Sequence, residues 1–102
     1  MTIQEFAKYV IGNMRRATLG NAMNIADKLD NPQFYTFLDF IDNAYNYTIE
    51  LLKDDRANKD KCYSLLHLFK TLKDKYNSDF KYNKKFIIDD LVIEMWGIIN
   101  GD

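Results

Sequence analysis

Apolar residues recur at intervals of three and four through five separate segments of this 102-residue chain, and that periodicity is the strongest constraint on its fold. An α-helix repeats every 3.6 residues, so this spacing lines one side of a helix with the groups that avoid water. Ile3, Phe6, Ala7, Val10, Ile11 and Met14 form the first stripe, and Leu19, Ala22, Met23, Ala26 and Leu29 the second. The third runs through Phe34, Phe37, Leu38, Ile41, Tyr45, Thr48, Ile49 and Leu52. Cys62, Leu65, Leu66, Phe69, Leu72 and Tyr76 form the fourth. A fifth run, from Phe86 to Ile99, is apolar on more sides than one exposed helix needs, so it is either nearly surrounded or presents a patch to a partner.

Residues that begin helices stand where these stripes require them. Thr2 with Glu5 has the spacing of a capping box, and Thr18 precedes the second stripe. Asn31-Pro32 precedes the third, Asn58 or Asp60 the fourth, and Asn83 the fifth. The pattern predicts helices over about 3–16, 18–29, 32–53, 59–76 and 84–99, hence an all-α fold: a single compact bundle of about five helices occupying 1–102 as one domain. The third helix is expected to be the longest and to form the spine, because Tyr35, Phe40, Tyr47 and Leu51 lie off its main stripe. A pair of short strands competes for the last segment through its β-branched residues, but Asp89-Asp90 offers no glycine for a tight hairpin.

Composition excludes more than it identifies. A chain this short buries roughly 60 to 65% of its unfolded surface, which leaves little room for an enclosed active site. With one cysteine and one histidine there is neither a disulfide framework nor a self-contained zinc site, which takes about four Cys or His ligands. Cys62 and His67 are five apart, so on a helix they diverge by roughly 140° and form no nucleophile–base pair. Gly12, Gly20, Gly97 and Gly101 are isolated and make no phosphate-cradling loop. Asp39 and Asp42 share a helix face, yet two carboxylates alone make a poor magnesium site. The expectation is a non-enzyme without cofactor, metal or small-molecule substrate. No apolar stretch exceeds three residues, against roughly 20 for a membrane span, and no secretory signal opens the sequence. A lone thiol suits a reducing compartment, so the expected location is the cytoplasm.

Charge is uneven. Residues 53–85 carry ten Lys or Arg against five Asp or Glu, whereas the segments on either side are acidic. Lys70, Lys73, Lys81, Lys84 and Lys85, interleaved with aromatics, are candidates for a weak nucleic-acid contact. Lysines spread round a helix and its following loop are, however, more often a solvated surface, and arginine, the residue best suited to bidentate readout, is nearly absent there.

Two stretches carry a family resemblance. Ala17-Thr18-Leu19-Gly20-Asn21-Ala22-Met23-Asn24-Ile25-Ala26-Asp27-Lys28-Leu29 resembles a helix-opening segment of bacterial clamp-loader subunits. Lys81-Tyr82-Asn83-Lys84-Lys85-Phe86-Ile87-Ile88-Asp89-Asp90-Leu91-Val92-Ile93 resembles the closing helix of the delta-prime subunits of DNA polymerase III, with Asn83, Phe86, Asp89 and Leu91 to Ile93 at matching positions. Lys81 and Lys84 depart from that pattern, where the family commonly has Asn and Pro. The resemblance implies an all-helical collar domain acting in DNA replication, which holds loader subunits in a ring while separate ATPase modules do the work.

The reading that follows is a protein-binding or self-associating domain, with Phe86, Ile87, Leu91, Ile93, Trp96 and Ile99 as its partner-binding residues. A rival reading is a small adaptor or inhibitor of phage or mobile-element type, which grips a host protein through tyrosines such as Tyr35, Tyr45 or Tyr47.

Overall fold

Thr2 opens the first helix with a reciprocal pair of hydrogen bonds. Its Oγ1 accepts from the Glu5 N–H at 3.1 Å, while its own N–H donates to Glu5 Oε1 at 3.1 Å. In the computed structural model, which describes residues 2–29, 36–78 and 84–101, this box starts α1 (Ile3–Met14). Thr18 Oγ1 accepts from the Asn21 N–H at the head of α2 (Leu19–Leu29), and Thr36 Oγ1 accepts from the Asp39 N–H at the head of α3 (Phe37–Leu52). Asn58 does the same for α4 (Lys59–Asn77) through the Lys61 N–H, and α5 (Lys84–Asn100) follows. Among the described residues these five helices are accompanied by no strand, as an all-α bundle requires.

The third helix differs from its sequence expectation. Thr36 is extended, with φ −79° and ψ 149°, and its side chain caps the helix, so α3 starts at Phe37 and not at residue 32. The anticipated signal Asn31-Pro32 lies outside the described residues, as do Phe34 and Asn83. At 16 residues α3 is shorter than α4, which has 19.

Packing places α1 on α3, α3 on α4 and α4 on α5, while α5 also lies against α2 and reaches α1. The last helix is therefore packed against more than one neighbour. That explains its sequence: Ile87, Ile88, Leu91, Val92 and Met95 are buried, each contributing about 1.5–3 kcal/mol by removal from water. Elsewhere the core holds Val10, Met14, Phe40, Ile41 and Phe69. Phe6 meets Phe40 edge-on at 5.7 Å, and Phe37 stacks on Tyr76 at 4.5 Å. On α4 the buried set is Cys62, Leu65, Leu68, Phe69 and Leu72, so Leu68 takes the inward place expected of Leu66, which is half-buried. Thr48, wholly buried, donates its hydroxyl to the Ala44 carbonyl at 2.7 Å.

Helix ends are joined across the bundle by side chains from other helices. Lys59 Nζ donates to the Leu52 carbonyl at 2.6 Å and Lys61 Nζ to the Ile99 carbonyl at 2.9 Å, which supplies cations to the C-termini of α3 and α5. Trp96 Nε1 donates to the Ala17 carbonyl at 2.8 Å, and Asn100 Nδ2 to the Met14 carbonyl at 3.1 Å. The end of α5 thus holds the turn between α1 and α2.

Candidate functional site

An open groove of about 810 Å³ runs between the antiparallel helices α4 and α5. The stripe on α4 that packs inward leaves a flank exposed, and on that flank the four-residue step of a helix aligns Tyr63, His67, Thr71 and Lys75. Leu68 and Leu72, 8% and 3% exposed, lie beneath the groove and belong to the core, Ile98 is half-buried, and Glu94 and Gly97 line the α5 side. A Cβ built on Gly97 meets nothing within 4 Å, so the chain itself has no steric need for glycine there. Beside the groove, on the outer side of α5, Phe86 is 65% and Ile93 43% exposed. Asp90 lies between them on the same exposed side.

The sequence-predicted binding residues divide between this surface and the interior. Phe86 and Ile93 lie outward, but Ile87 and Leu91 are 4% and 0% exposed and belong to the core, so they present nothing to a partner. The reason is geometric: Ile87 and Leu91, four apart, turn toward the bundle, whereas Phe86 and Ile93, seven apart, share the opposite side. Trp96 is half-buried and committed to Ala17, and Ile99 is half-buried with its carbonyl taken by Lys61. Tyr63, His67, Glu94 and Gly97 are absent from the predicted set. Their signal is the polar step from Tyr63 to Lys75 running beside the apolar positions Leu68 and Leu72.

The predicted lysines are dispersed. Lys73 pairs with Asp42 at 2.6 Å, and Lys84 sits over the Tyr76 ring at 4.5 Å. Lys70 and Lys85 are exposed, and Lys81 lies outside the described residues. Since Lys59 and Lys61 cap helix ends, much of the basic middle segment is occupied in internal contacts. Of the adaptor tyrosines, Tyr45 and Tyr47 are half-buried and Tyr35 lies outside the described residues; among the described residues the exposed tyrosines are Tyr9 and Tyr63.

For chemistry, Cys62 is buried while His67 faces the groove, so the two diverge as their spacing requires. Burial pushes the Cys62 thiol above its ordinary pKa, with Lys59 opposing weakly. Asp42 turns to Lys73, and Asp39 stays in the first turn of α3. Among the described residues no three His, Cys, Asp or Glu side chains gather as a metal site, and no helix is long and apolar enough to cross a membrane. Comparison with known protein families, curated proteins and solved structures finds no match.

Proposed function

We propose that the chain is a non-catalytic helical protein–protein interaction module that binds through the outer side of the α4–α5 pair. The observation that carries this reading is the exposure of Phe86 and Ile93, two turns apart on one side of α5, beside an open groove. Large apolar groups grouped on a surface mark contact sites, and covering these two contributes roughly 1–2 kcal/mol each. The buried free thiol of Cys62 suits a reducing compartment, which supports a cytoplasmic setting.

The resemblance to the clamp-loader collar supplies a narrower form of the reading, with sister subunits of a replication clamp loader as partners. Among the matched positions within the described residues, Phe86 and Ile93 are exposed. Light scattering on the purified chain, alone and mixed with clamp-loader subunits, tests both forms. Association that the double variant Phe86→Ser/Ile93→Ser abolishes, with its helical circular dichroism unchanged, supports the interaction reading. A chain that remains monomeric and ignores every loader subunit counts against the collar. Complexes that form equally well with the double variant overturn the assignment to α5.

A further inference from the structure

We infer that the cleft between α1 and α2 binds a nucleotide, free or as one unit of a single strand, by its base and its phosphate together. The site stands on other helices than the α4–α5 contact and does not depend on it. Its origin lies in the packing. α1 lies on α3 and α2 on α5, so the two helices part beyond the turn that joins them and leave a cleft of about 370 Å³. Ala17 lines it at the turn, where Trp96 holds its carbonyl. Tyr9, Asn13 and Arg16 line the side of α1 and its end, and Asn21, Asn24 and Lys28 line the side of α2. All six are exposed.

Three observations give the ligand its chemistry. The first is charge. Among the described residues the cleft is lined by two cations and no carboxylate, in a chain whose net charge is −1. The neighbouring acids are directed elsewhere: Glu5, one turn before Tyr9, accepts from the Thr2 N–H, and Asp27 stands roughly 100° round α2 from Lys28. Among the described residues neither Arg16 nor Lys28 takes part in an ion pair, so both are available to a phosphate. The second is an aromatic ring. Tyr9 is 55% exposed and packs on no other ring among the described residues, which leaves it open for stacking.

The third is the run of carboxamides. Asn13 Nδ2 is engaged by the Tyr9 carbonyl, but the side chains of Asn21 and Asn24 have no partner among the described residues. Each offers donors and an acceptor together, which match the mixed edge of a base. An acidic peptide, whose carboxylates only accept, would engage the two cations and leave the ring and the amide oxygens unused. A nucleotide engages all three kinds of group.

Titration of the intact chain with two probes tests this: fluorescently labelled single-stranded oligonucleotides, read by anisotropy, and nucleoside monophosphates, read by calorimetry. Binding of either at low salt is expected. Oligonucleotides binding alone identify a strand as the source, and monophosphates binding as tightly as oligonucleotides identify a free nucleotide. Tyr9→Leu should weaken binding about tenfold. For oligonucleotides, Arg16→Gln/Lys28→Gln should lower the slope of log affinity against log salt by roughly 1.4. Asn21→Ala/Asn24→Ala should level the differences in affinity between bases. These positions are exposed, so the circular dichroism should remain helical throughout. Lys70→Gln/Lys75→Gln, at exposed positions of α4 outside the cleft, should leave affinity and slope unchanged. No binding of either probe, binding indifferent to Tyr9→Leu, poly-glutamate bound as tightly as an oligonucleotide, or an equal loss in the α4 pair overturns the proposal. Association that still depends on Phe86 and Ile93 when the titrations fail leaves the interaction reading standing, since the two surfaces share no residue.

Discussion

The Lys61 ammonium donates to the Ile99 carbonyl at 2.9 Å and so binds the first turn of α4 to the last turn of α5, 38 residues away in sequence. A lysine at a helix N-terminus is unfavourably placed with respect to its own helix dipole, and here it serves the negative end of a neighbour instead. Lys59 does the same for α3 through Leu52. Lys61→Met keeps the aliphatic stem and removes the donor. It should lower stability by about 1 kcal/mol, and Lys59→Met, at a more exposed site, by about half of that. Urea unfolding followed by circular dichroism measures both; equal midpoints for wild type and Lys61→Met would refute the capping role.

Trp96 and Asn100 hold one turn together from one helix face. Trp96→Phe, which preserves an aromatic body but loses the donor to Ala17, should cost about 1 kcal/mol. Asn100→Ala removes donors to both Met14 and Trp96 and should cost a similar amount. Because both act on the α1–α2 turn, the double variant should fall short of the sum of the two single effects. A thermodynamic cycle with strictly additive values would show that the two side chains act independently.

The Thr2–Glu5 box makes the start of α1 sensitive to acid. Hydrogen bonding to Thr2, through its N–H first and its side chain second, holds the Glu5 carboxyl below its ordinary pKa. A carboxylate with a depressed folded pKa stabilises the native state fully above its unfolded value of about 4.3, and the contribution disappears as pH falls through the folded value. Glu5→Gln retains a capping group without the titration. The variant should therefore lose less stability than wild type between neutral pH and pH 3, as read from thermal midpoints across that range; parallel curves would exclude the cap as the source.

Cys62 should be a slow thiol. Burial removes it from reagent and raises its pKa, so a disulfide reagent at pH 8 should modify the native chain at least about tenfold more slowly than a free cysteine. Addition of urea through the unfolding transition should abolish the difference. Fast modification of the folded protein would place the thiol at the surface.

Much of the fold is legible in local sequence because the relevant signals are local. Thr2, Thr18 and Asn58 cap the helices they precede, and in α1 the five buried side chains all come from the expected stripe. Legibility fails where a decision depends on distant groups. α5 is apolar on nearly every side, so its periodicity does not indicate which side faces the core, and Ile87 reads the same as Ile93 until α2, α4 and α1 are in place. On α4, Leu66 and Leu68 compete for one inward position, and the folded chain buries Leu68. The charge of Lys59 and Lys61 suggests an exposed basic surface, whereas their acceptors are the last carbonyls of α3 and α5, which no spacing rule connects to them. The groove escaped for a related reason: its two walls are separate helices, and only their pairing sets Glu94 and Gly97 beside His67.

The bonds from Trp96 and Asn100 to the α1–α2 turn span 79 and 86 residues, which bears on how the chain reaches its native state. Helical bundles generally fold fast because most of their contacts are local, but here the first turn of the bundle obtains its partners from the last helix. On the ribosome α1 and α2 emerge early and must wait with their apolar faces incompletely covered until α5 has left the tunnel, several seconds later at usual rates of synthesis. A nascent chain stalled before Trp96 should therefore be readily digested by protease, and release of the last helix should protect the whole bundle in one step.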